Sequence, residues 1–546
     1  MNSSAEQIMN PKARESWKFR ERWRIEGVLV SQSPFHLGSG EIFESVDVAS
    51  DGEVVEISEC VKNYENLPMI PGAALKGNIR AWLQTRSIDT PSFDFFEKAF
   101  GKKSAEEVRQ SGEGFETAEF NDTSDDSGED SSLADDQGWG GTAEFADAHM
   151  TIRRAGSTPL PYWSEDCQTW IETTNSIRRD TRTAADQHLI HKECVPAGIG
   201  FDVIITGMLD EDQVAVILAG LNGFNDENNP VTIGADTASG KGIFRWEPGK
   251  IYRMDEEAAR KWVTNHDRDM AEKSMPELRS ETLEPINTKA EKVLESTTSD
   301  LETFDIILNF ESHFLVNDPS VFLKEKGMDS EYPITHNPRV DEQECPVLPA
   351  KSFRGALRSQ AEKILRTLAQ ECARSKGDEV SDDYLKKIAC HPNDRESACK
   401  PIQSISEKKN LCMACRLFGA SGWKTPIRIS DFEKVENKGV KVNQHFVAID
   451  RFTGGGKTGA KFSACAWYKP SMKGRISMKT DDDDNWCLGL LALVLRDLME
   501  GDITFGFGAS KGYGSCKAKI PIWTASDFQK KVKKSLEDLR KVFHKK

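Results

Sequence analysis

The chain has 546 residues, more than the roughly 250–300 at which a single hydrophobic core usually stops growing, so we expect at least two domains. Hydrophobic residues make up 38% and charged residues 29%, a balance that excludes an integral membrane protein and a wholly disordered chain. The net charge is −16, but fourteen acids lie in two patches, residues 113–136 and 481–484, which leaves −2 for the remainder. Because binding depends on local potential, this charge does not exclude a nucleic-acid partner.

We predict a first domain over residues 21–251, after a disordered segment at residues 1–20. Residues 23–30 alternate between polar and apolar side chains, a pattern that predicts a strand. A helix is predicted from Pro71, because Pro suits the first helical turn and apolar residues follow at helical spacing. The other predicted features are a disordered acidic insertion at 111–138, an apolar helix at 214–221 and a Gly-rich loop at 234–242.

Residues 252–300 are charged and contain few aromatics, so they are predicted to form a helical linker. A second domain is predicted over residues 301–525, and a basic C-terminal helix over residues 526–546. The predicted features of the second domain are a strand at 304–310, a helix from Pro349, a cysteine-rich insertion at 385–416, an apolar helix at 488–499 and a Gly-rich loop at 506–514.

The second domain repeats the first. Residues 71–80 (PGAALKGNIR) and 349–358 (PAKSFRGALR) share the pattern Pro-x-x-small-apolar-basic-Gly-x-aliphatic-Arg at an offset of 278. Three further pairs follow in the same order: residues 145–147 with 429–431, 180–183 with 450–453, and Gly234, Gly240 and Gly242 with Gly506, Gly512 and Gly514. Four ordered matches indicate two homologous domains. Their shared order, strand–helix–strands–helix–strand, predicts an α+β, ferredoxin-like (RRM-like) fold in tandem.

The repeated motifs are typical of phosphate contacts. A basic residue precedes Gly in the first helical turn of each copy, and an Arg lies one turn further on the same face. The Gly-rich loops place a Lys where the backbone allows close approach. Ordinary glycine turns are the alternative, which repetition of both motifs disfavours. The candidate RNA-contacting residues are Lys76, Gly77, Arg80, Gly240, Lys241, Arg354, Gly355, Arg358, Lys511 and Gly512.

The cysteine-rich insertion predicts a metal site. Cys412 and Cys415 form a CxxC pair, and Cys399 lies upstream, with either Cys390 or His391 as the fourth ligand. The N-terminal residues lack the apolar core of a signal peptide, so we expect a cytoplasmic protein, in which such a cluster suits structural Zn²⁺. Uncoordinated thiols or a redox pair are the alternative. The first domain has no matching cysteines, so we expect no zinc there.

The sequence resembles the RAMP superfamily of CRISPR systems. The resemblance rests on the two helix-start motifs, the stretch Cys415-Arg-Leu-Phe-Gly419, residues 447–455 (VAIDRFTGG) and the terminal Gly-rich loop. Within that superfamily, the sequence is most similar to the backbone subunit that polymerises along the guide RNA in type III effector complexes. Two such units in one chain resemble the double-unit subunits of subtype III-D. The first copy departs from the pattern at residues 180–186.

The resemblance implies partners and contacts. The partners would be the guide RNA (crRNA), a single-stranded target RNA and other type III subunits, in prokaryotic antiviral defence and without a membrane. A β-hairpin thumb in each copy, near residues 178–192 and 446–462, would push between bases and flip out a nucleotide. The thumb residues would be Arg179, Arg182, Arg451 and Phe452.

The resemblance also implies cleavage of the target RNA. Family members often use an Asp between the first strand and the first helix, with a divalent ion such as Mg²⁺ or Mn²⁺, to promote attack by the 2′-OH on its own phosphate. Asp51 and Asp329 both precede the helix-start Pro by 20 residues, which makes them the first candidates. Asp47 and Glu56 are the others. His36 and His336 are weaker candidates for proton transfer, since a lone His is more often structural.

Three alternatives stay open. The chain could be a non-catalytic scaffold that binds crRNA, or a metal-independent endoribonuclease that processes guide precursors. The second lacks a matched His with Tyr or Lys in both copies. The third, a cytosolic zinc protein unrelated to RNA, is disfavoured by the repeated phosphate-type loops.

Overall fold

The structure is a computed structural model. It describes residues 20–45, 54–84, 90–102, 139–154, 160, 162–178, 189–264, 275–295, 301–318, 334–341, 344–377, 380–391, 396–435, 438–479 and 484–544. The segments predicted to be disordered lie outside these ranges, apart from Arg20. Within them, no helix has the length and apolar character needed to cross a membrane.

The first half contains the strands and helices that the first domain was predicted to have. Strand β1 alternates so that Trp23 and Ile25 face the core. In chain order the elements are β1 (Arg22–Ser31), β2 (Gly38–Ser45), β3 (Val55–Cys60), β4 (Met69–Ile70), α1 (Gly72–Gln84), α2 (Thr90–Phe100), β5 (Gly101–Lys102), β6 (Trp139–Gly140), β7 (Ala143–Phe145), β8 (Ala148–Ile152), β9 (Trp170–Thr174), β10 (Ile190–Cys194), β11 (Gly200–Met208), α3 (Glu211–Asn222), β12 (Phe244–Met254), α4 (Glu256–Thr264) and α5 (Ser280–Glu295).

The second half repeats this series with a longer first helix. Strand β13 places Phe304, Ile306 and Leu308 on the buried face. The elements are β13 (Leu301–Phe310), β14 (His313–Phe314), β15 (Ile334–His336), β16 (Val347–Leu348), α6 (Ala350–Lys376), α7 (Asp382–Ile388), α8 (Met413–Phe418), β17 (Ile427–Ile429), β18 (Phe432–Lys434), β19 (Val440–Ile449), β20 (Gly456–Tyr468), β21 (Ser471–Lys479), α9 (Trp486–Glu500), β22 (Cys516–Lys519) and α10 (Ser526–His544).

The two halves have the same main-sheet topology. The strand order is β12-β1-β11-β8-β4 in the first half and β22-β13-β21-β18-β16 in the second, with β7 pairing β11 as β17 pairs β21. The four strands of the predicted fold therefore lie in the order 4-1-3-2, with antiparallel neighbours. This arrangement confirms the α+β class. We call the two repeats unit one and unit two.

Each unit has its own hydrophobic core and a second, smaller sheet. Helices α1 and α3 cover the main sheet of unit one, and Gly220 of α3 lets Ile79 of α1 approach closely. Helices α6 and α9 do the same in unit two. The smaller sheets contain β2-β3-β10-β9 in unit one and β14-β20-β15 with β19 in unit two. They lie beside the Gly-rich loops, which bond to the chain just after the first strand of each unit.

Within the segment predicted to be a helical linker, the described residues form the end of β12 and the two helices α4 and α5, and α5 belongs to unit one. Ile286, Ala290 and Val293 of α5 are buried in the unit-one core, and Lys289 pairs with Asp212 at 2.6 Å. The C-terminal helix α10 packs on unit two through Phe528 and other apolar residues, and its lysines are exposed.

Candidate RNA-binding surface and cysteine cluster

The first helix of each unit begins at the same capping contact. The N–H of Gly72 donates to Asp147 at 2.8 Å, and the N–H of Ala350 donates to Asp431 at 2.7 Å. A carboxylate at a helix start satisfies an unpaired N–H and complements the helix dipole. This explains why the segment 145–147 matches 429–431, a role for these acids that sequence reasoning missed.

The basic residues at the helix starts contact their own unit. Lys76 donates to the carbonyl of Ala143 at 3.2 Å, and Arg354 donates to the carbonyl of Phe418. Burial, with a smaller contribution from Arg80, lowers the pKa of Lys76. Each of these side chains is therefore held by a backbone carbonyl of its own unit.

The second arginine of the motif differs between the units. Arg358 donates to the carbonyl of Gly419 at 3.0 Å and to the sulfur of Cys415 at 3.1 Å, and pairs with Glu362 at 2.9 Å. At the matched position, Arg80 has a buried Nε without a hydrogen-bond acceptor among the described residues. The phosphate contacts expected of both stay predictions.

Gly77 and Gly355 are not required by the packing of the chain. A Cβ built on either one meets no described atom within 4 Å, although Gly in a helix interior costs about 1 kcal/mol relative to Ala. Both lie in regular helix at the same place in two units. The packing of the described chain therefore does not explain why glycine recurs at these two positions.

The Gly-rich loops contain glycines that the fold itself requires. Gly242 and Gly514 have φ of 70° and 76°, and a Cβ on either would overlap a backbone carbonyl oxygen. A Cβ on Gly512, by contrast, meets nothing within 4 Å in the described chain, whereas one on Gly240 would lie 3.1 Å from the Ile429 carbonyl of unit two. The unit-one loop is thus covered by unit two.

The two loop lysines do not occupy equivalent positions. The shared glycine spacing places Lys241 opposite Tyr513 of unit two, and Lys511 opposite Ser239. Lys241 is buried in an ion pair with Glu172, which raises its pKa against the opposing effect of burial. Lys511 is exposed and lies over the rings of Phe462 and Phe507, 5.8 and 5.3 Å from their centroids.

A long hairpin formed by β19 and β20 stands at the predicted thumb of unit two. Its tip holds Phe452, which is 100% exposed, and Arg451 beside it. The Asp450 carboxylate accepts from the N–H groups of Phe452 and Thr453, both at 2.9 Å, and so orders the tip. An aromatic ring held in solvent is suited to stacking on a base. Arg179 and Arg182 of the first thumb lie outside the described residues.

Three of the four candidate catalytic acids, Asp47, Asp51 and Asp329, also lie outside the described residues. Glu56 is exposed on β3, directly opposite Glu44 of β2. His36 is buried, and its Nδ1 lies 2.7 Å from the Glu193 carbonyl, which gives it a structural contact. His336 is the last residue of β15, and its ring centroid lies 4.6 Å from that of Phe507.

The four predicted cysteine ligands form one cluster. The ligand atoms of Cys390, Cys399, Cys412 and Cys415 all lie within 4.8 Å of one another, and the sulfurs of Cys390 and Cys415 are 3.5 Å apart. Four sulfurs about 2.3 Å from a tetrahedral metal are about 3.8 Å apart, so the cluster fits such a site. His391 is exposed and near Arg366, which favours Cys390 as fourth ligand. The cluster could bind a structural metal such as zinc.

A comparison with protein families agrees with the division of the chain into two units. The sequence model of the RAMP superfamily matches residues 28–245 and 330–517, one region in each unit. No curated protein matches the chain. The two matched regions contain both helix starts, the unit-two hairpin and all four clustered cysteines. The chain therefore belongs to the RAMP superfamily, and this membership indicates a CRISPR-associated, RNA-binding subunit.

Proposed function

We propose that the chain is a crRNA-binding backbone subunit of a type III CRISPR effector, with two backbone units fused as in subtype III-D. The observation that carries this proposal is the pair Gly77 and Gly355, which leave the same helix surface open in both units. The partners are crRNA, single-stranded target RNA and other effector subunits, in the cytoplasm of a prokaryotic cell.

The RNA strand is proposed to follow the open helix surfaces from one unit to the next. Gly77 and Gly355 admit its backbone, and the ring of Phe452 stacks on a base at the hairpin tip. The protein then recognises backbone and shape, while pairing between guide and target supplies sequence specificity. Two equivalent surfaces in tandem support this, because one continuous strand can contact both.

We propose that target RNA is cleaved beside each unit. RAMP proteins are often ribonucleases in CRISPR complexes. The described residues just before the unit-two candidate segment lie beside the Gly-rich loop, where the Leu315 carbonyl accepts from the Phe507 N–H at 2.7 Å. Asp51 and Asp329 are the first candidates to orient the attacking 2′-OH, followed by Asp47 and Glu56. A divalent ion such as Mg²⁺ or Mn²⁺ would stabilise the developing charge.

The cysteine cluster is proposed to hold Zn²⁺ in a structural role. Cys390 and Cys399 lie between α7 and α8, Cys412 caps the start of α8 and Cys415 lies within it, and bound metal would supply folding energy to this segment. The bond from Arg358 to Cys415 joins the cluster to α6, the helix that carries Gly355. Metal binding therefore stabilises the helix start of unit two.

The test of the catalytic proposal uses the guide-loaded chain, a complementary target RNA and Mg²⁺. We expect two cuts, one lost in Asp51→Ala and the other in Asp329→Ala, while Glu65→Ala, an exposed acid of the same unit-one region, keeps both. If both cuts persist in the double variant, the assignment of these acids is wrong. If the native chain binds target without cutting it, the non-catalytic scaffold is the correct function.

A further inference from the structure

The two units meet at a seam of opposite charges. Arg339 of unit two lies 3.0 Å from Glu172 of unit one, and Lys351 lies 2.9 Å from Asp236 and 3.8 Å from Glu172. Glu172 is only 3% exposed and is also paired with Lys241 of its own unit. The seam therefore joins a buried acid of unit one to two cations of unit two.

Backbone contacts place this seam at a defined pair of surfaces. Gly240 faces the Ile429 carbonyl, and Arg428 donates to the Pro230 carbonyl at 3.2 Å. On unit one the surface consists of Glu172 and the Gly-rich loop, which we call the Gly-loop face. On unit two it consists of Arg339, Lys351 and the turn at 429–431, which we call the helix-start face. The contact is heterologous, so each unit has one face left over.

The Gly-loop face left over on unit two lacks the acids. Strand register places Gln444 where unit one has Glu172, since Gln444 pairs with Ala464 as Glu172 pairs with Lys192. The Tyr513 hydroxyl contacts Gln444 just as Lys241 contacts Glu172. The position of Asp236 is taken by Gly508, which has the same left-handed backbone, with φ of 81° against 61°. Gln444, Gly508 and Tyr513 therefore place uncharged residues where unit one has Glu172, Asp236 and Lys241.

The helix-start face left over on unit one lacks the cations. The N–H of Val61 donates to the Leu37 carbonyl as the N–H of Arg339 donates to Val316, so Val61 is the counterpart of Arg339. The repeated helix start makes Ala73 the counterpart of Lys351. Both halves of the charged contact are thus present at the internal seam and absent at the corresponding outer positions.

We propose that Glu172 and Asp236, with Arg339 and Lys351, are specificity-determining residues that direct unit two onto unit one and keep outer faces of other copies from this seam. A wrong partner brings Val61 and Ala73 to the Gly-loop face of unit one and leaves Glu172 with Lys241 as its one close cation. Removing partners from a buried charge is costly, so the matched contact is favoured over the mismatched one. The outer faces lack these four charges at the corresponding positions, so they do not compete for the internal seam.

The first test is hydrogen exchange on the full chain without RNA, so its result is independent of the proposed function. In Glu172→Gln/Asp236→Asn we expect the amides of residues 234–242 and 427–431 to exchange at least tenfold faster, with β1 and β13 unchanged. Glu277→Gln, which removes an exposed ion pair with Lys250, is the control and should match the native chain. Unchanged protection at the seam, or an equal loss in β1 and β13, would overturn the proposal.

A second test transfers the charges to the outer faces. One chain carries Gln444→Glu and Gly508→Asp, and another carries Val61→Arg and Ala73→Lys. Sedimentation of the 1:1 mixture should show association at least tenfold tighter than in either variant alone. Separately, Arg339→Gln/Lys351→Gln should weaken the internal seam as Glu172→Gln/Asp236→Asn does in the hydrogen-exchange test. A mixture that associates no more than its components contradicts a charge-based specificity.

Discussion

At the scale of single residues, some glycines are required by the fold and others are not. Gly242 and Gly514 have positive φ and lie against backbone carbonyls, so the loop cannot form with another residue there. Gly77 and Gly355 have neither property, although they occur at the same point of the repeat. We therefore propose that these two glycines are needed for a contact outside the chain.

The first prediction uses this difference. Gly77→Ala/Gly355→Ala should increase the free energy of unfolding by up to about 1 kcal/mol per site, because Ala is the better helix former and its Cβ has space. The same variant should bind single-stranded RNA at least fivefold more weakly, because each methyl group holds the backbone away. Urea unfolding and filter binding measure the two effects. Gly514→Ala is the matched control and should destabilise the fold; unchanged RNA affinity in the double variant would count against the proposed surface.

The second prediction concerns how the free energy of unfolding changes at acidic pH. Burial alone would raise the pKa of Glu172, but Lys241, Arg339 and Lys351 lower it from 4.5 to about 2. A carboxyl with a depressed folded-state pKa stabilises fully above its unfolded pKa and loses this contribution as pH falls toward 2. Glu172→Gln should therefore be less stable at pH 7, with a shallower stability loss between about pH 4.5 and 2. Urea midpoints across this range measure it, and parallel curves for variant and native chain would refute the assigned pKa.

At the scale of secondary-structure elements, local sequence patterns predict the helices and strands well, because the spacing of apolar residues and the position of Pro lie within each element. Helix α1 begins directly after Pro71 as expected, and the first strands of both units include the predicted residues. Helix α5 shows the limit of this reasoning. Its charged sequence predicts a linker, yet Ile286 and Ala290 are buried in unit one, because three apolar positions on one face suffice to dock a helix.

The third prediction is made for the cysteine-bearing segment. Cys399→Ser should reduce bound zinc from one per chain to none and lower the melting temperature of unit two, because the metal supplies folding energy to a segment of loops and short helices. Cys345→Ser, which changes a thiol outside the cluster, should keep the full zinc content. Metal analysis and calorimetry measure both. Full zinc retention in Cys399→Ser would exclude this thiol as a ligand.

The fourth prediction is made for the β19–β20 hairpin. Phe452→Ala should leave the free energy of unfolding within about 0.5 kcal/mol of the native value, because a fully exposed ring has no packing to lose. RNA affinity should fall by the roughly 1–3 kcal/mol that stacking on one base contributes. Phe452→Trp keeps an aromatic face and should restore binding. Equal RNA affinity for the Ala variant and the native chain would show that the tip does not stack on a base.

At the scale of the whole molecule, repetition predicts two units, and the identical 4-1-3-2 strand orders confirm this. Sequence alone could not show how the units meet. Glu172 and Arg339 are 167 residues apart, and neither belongs to a repeated motif, so no local pattern connects them. Asp147 and Asp431 could have been singled out from the sequence, because both belong to the matched segments 145–147 and 429–431, but only coordinates show that they cap the first helices.

The most direct measurement of the central claim is the RNA that co-purifies with the chain when it is expressed beside a CRISPR array. Sequencing should find a short RNA of uniform length derived from the array, and Gly77→Ala/Gly355→Ala should recover less of it. Recovery of no RNA, or of mixed cellular RNA in the same amount from both proteins, would contradict a continuous guide strand bound across two sister units.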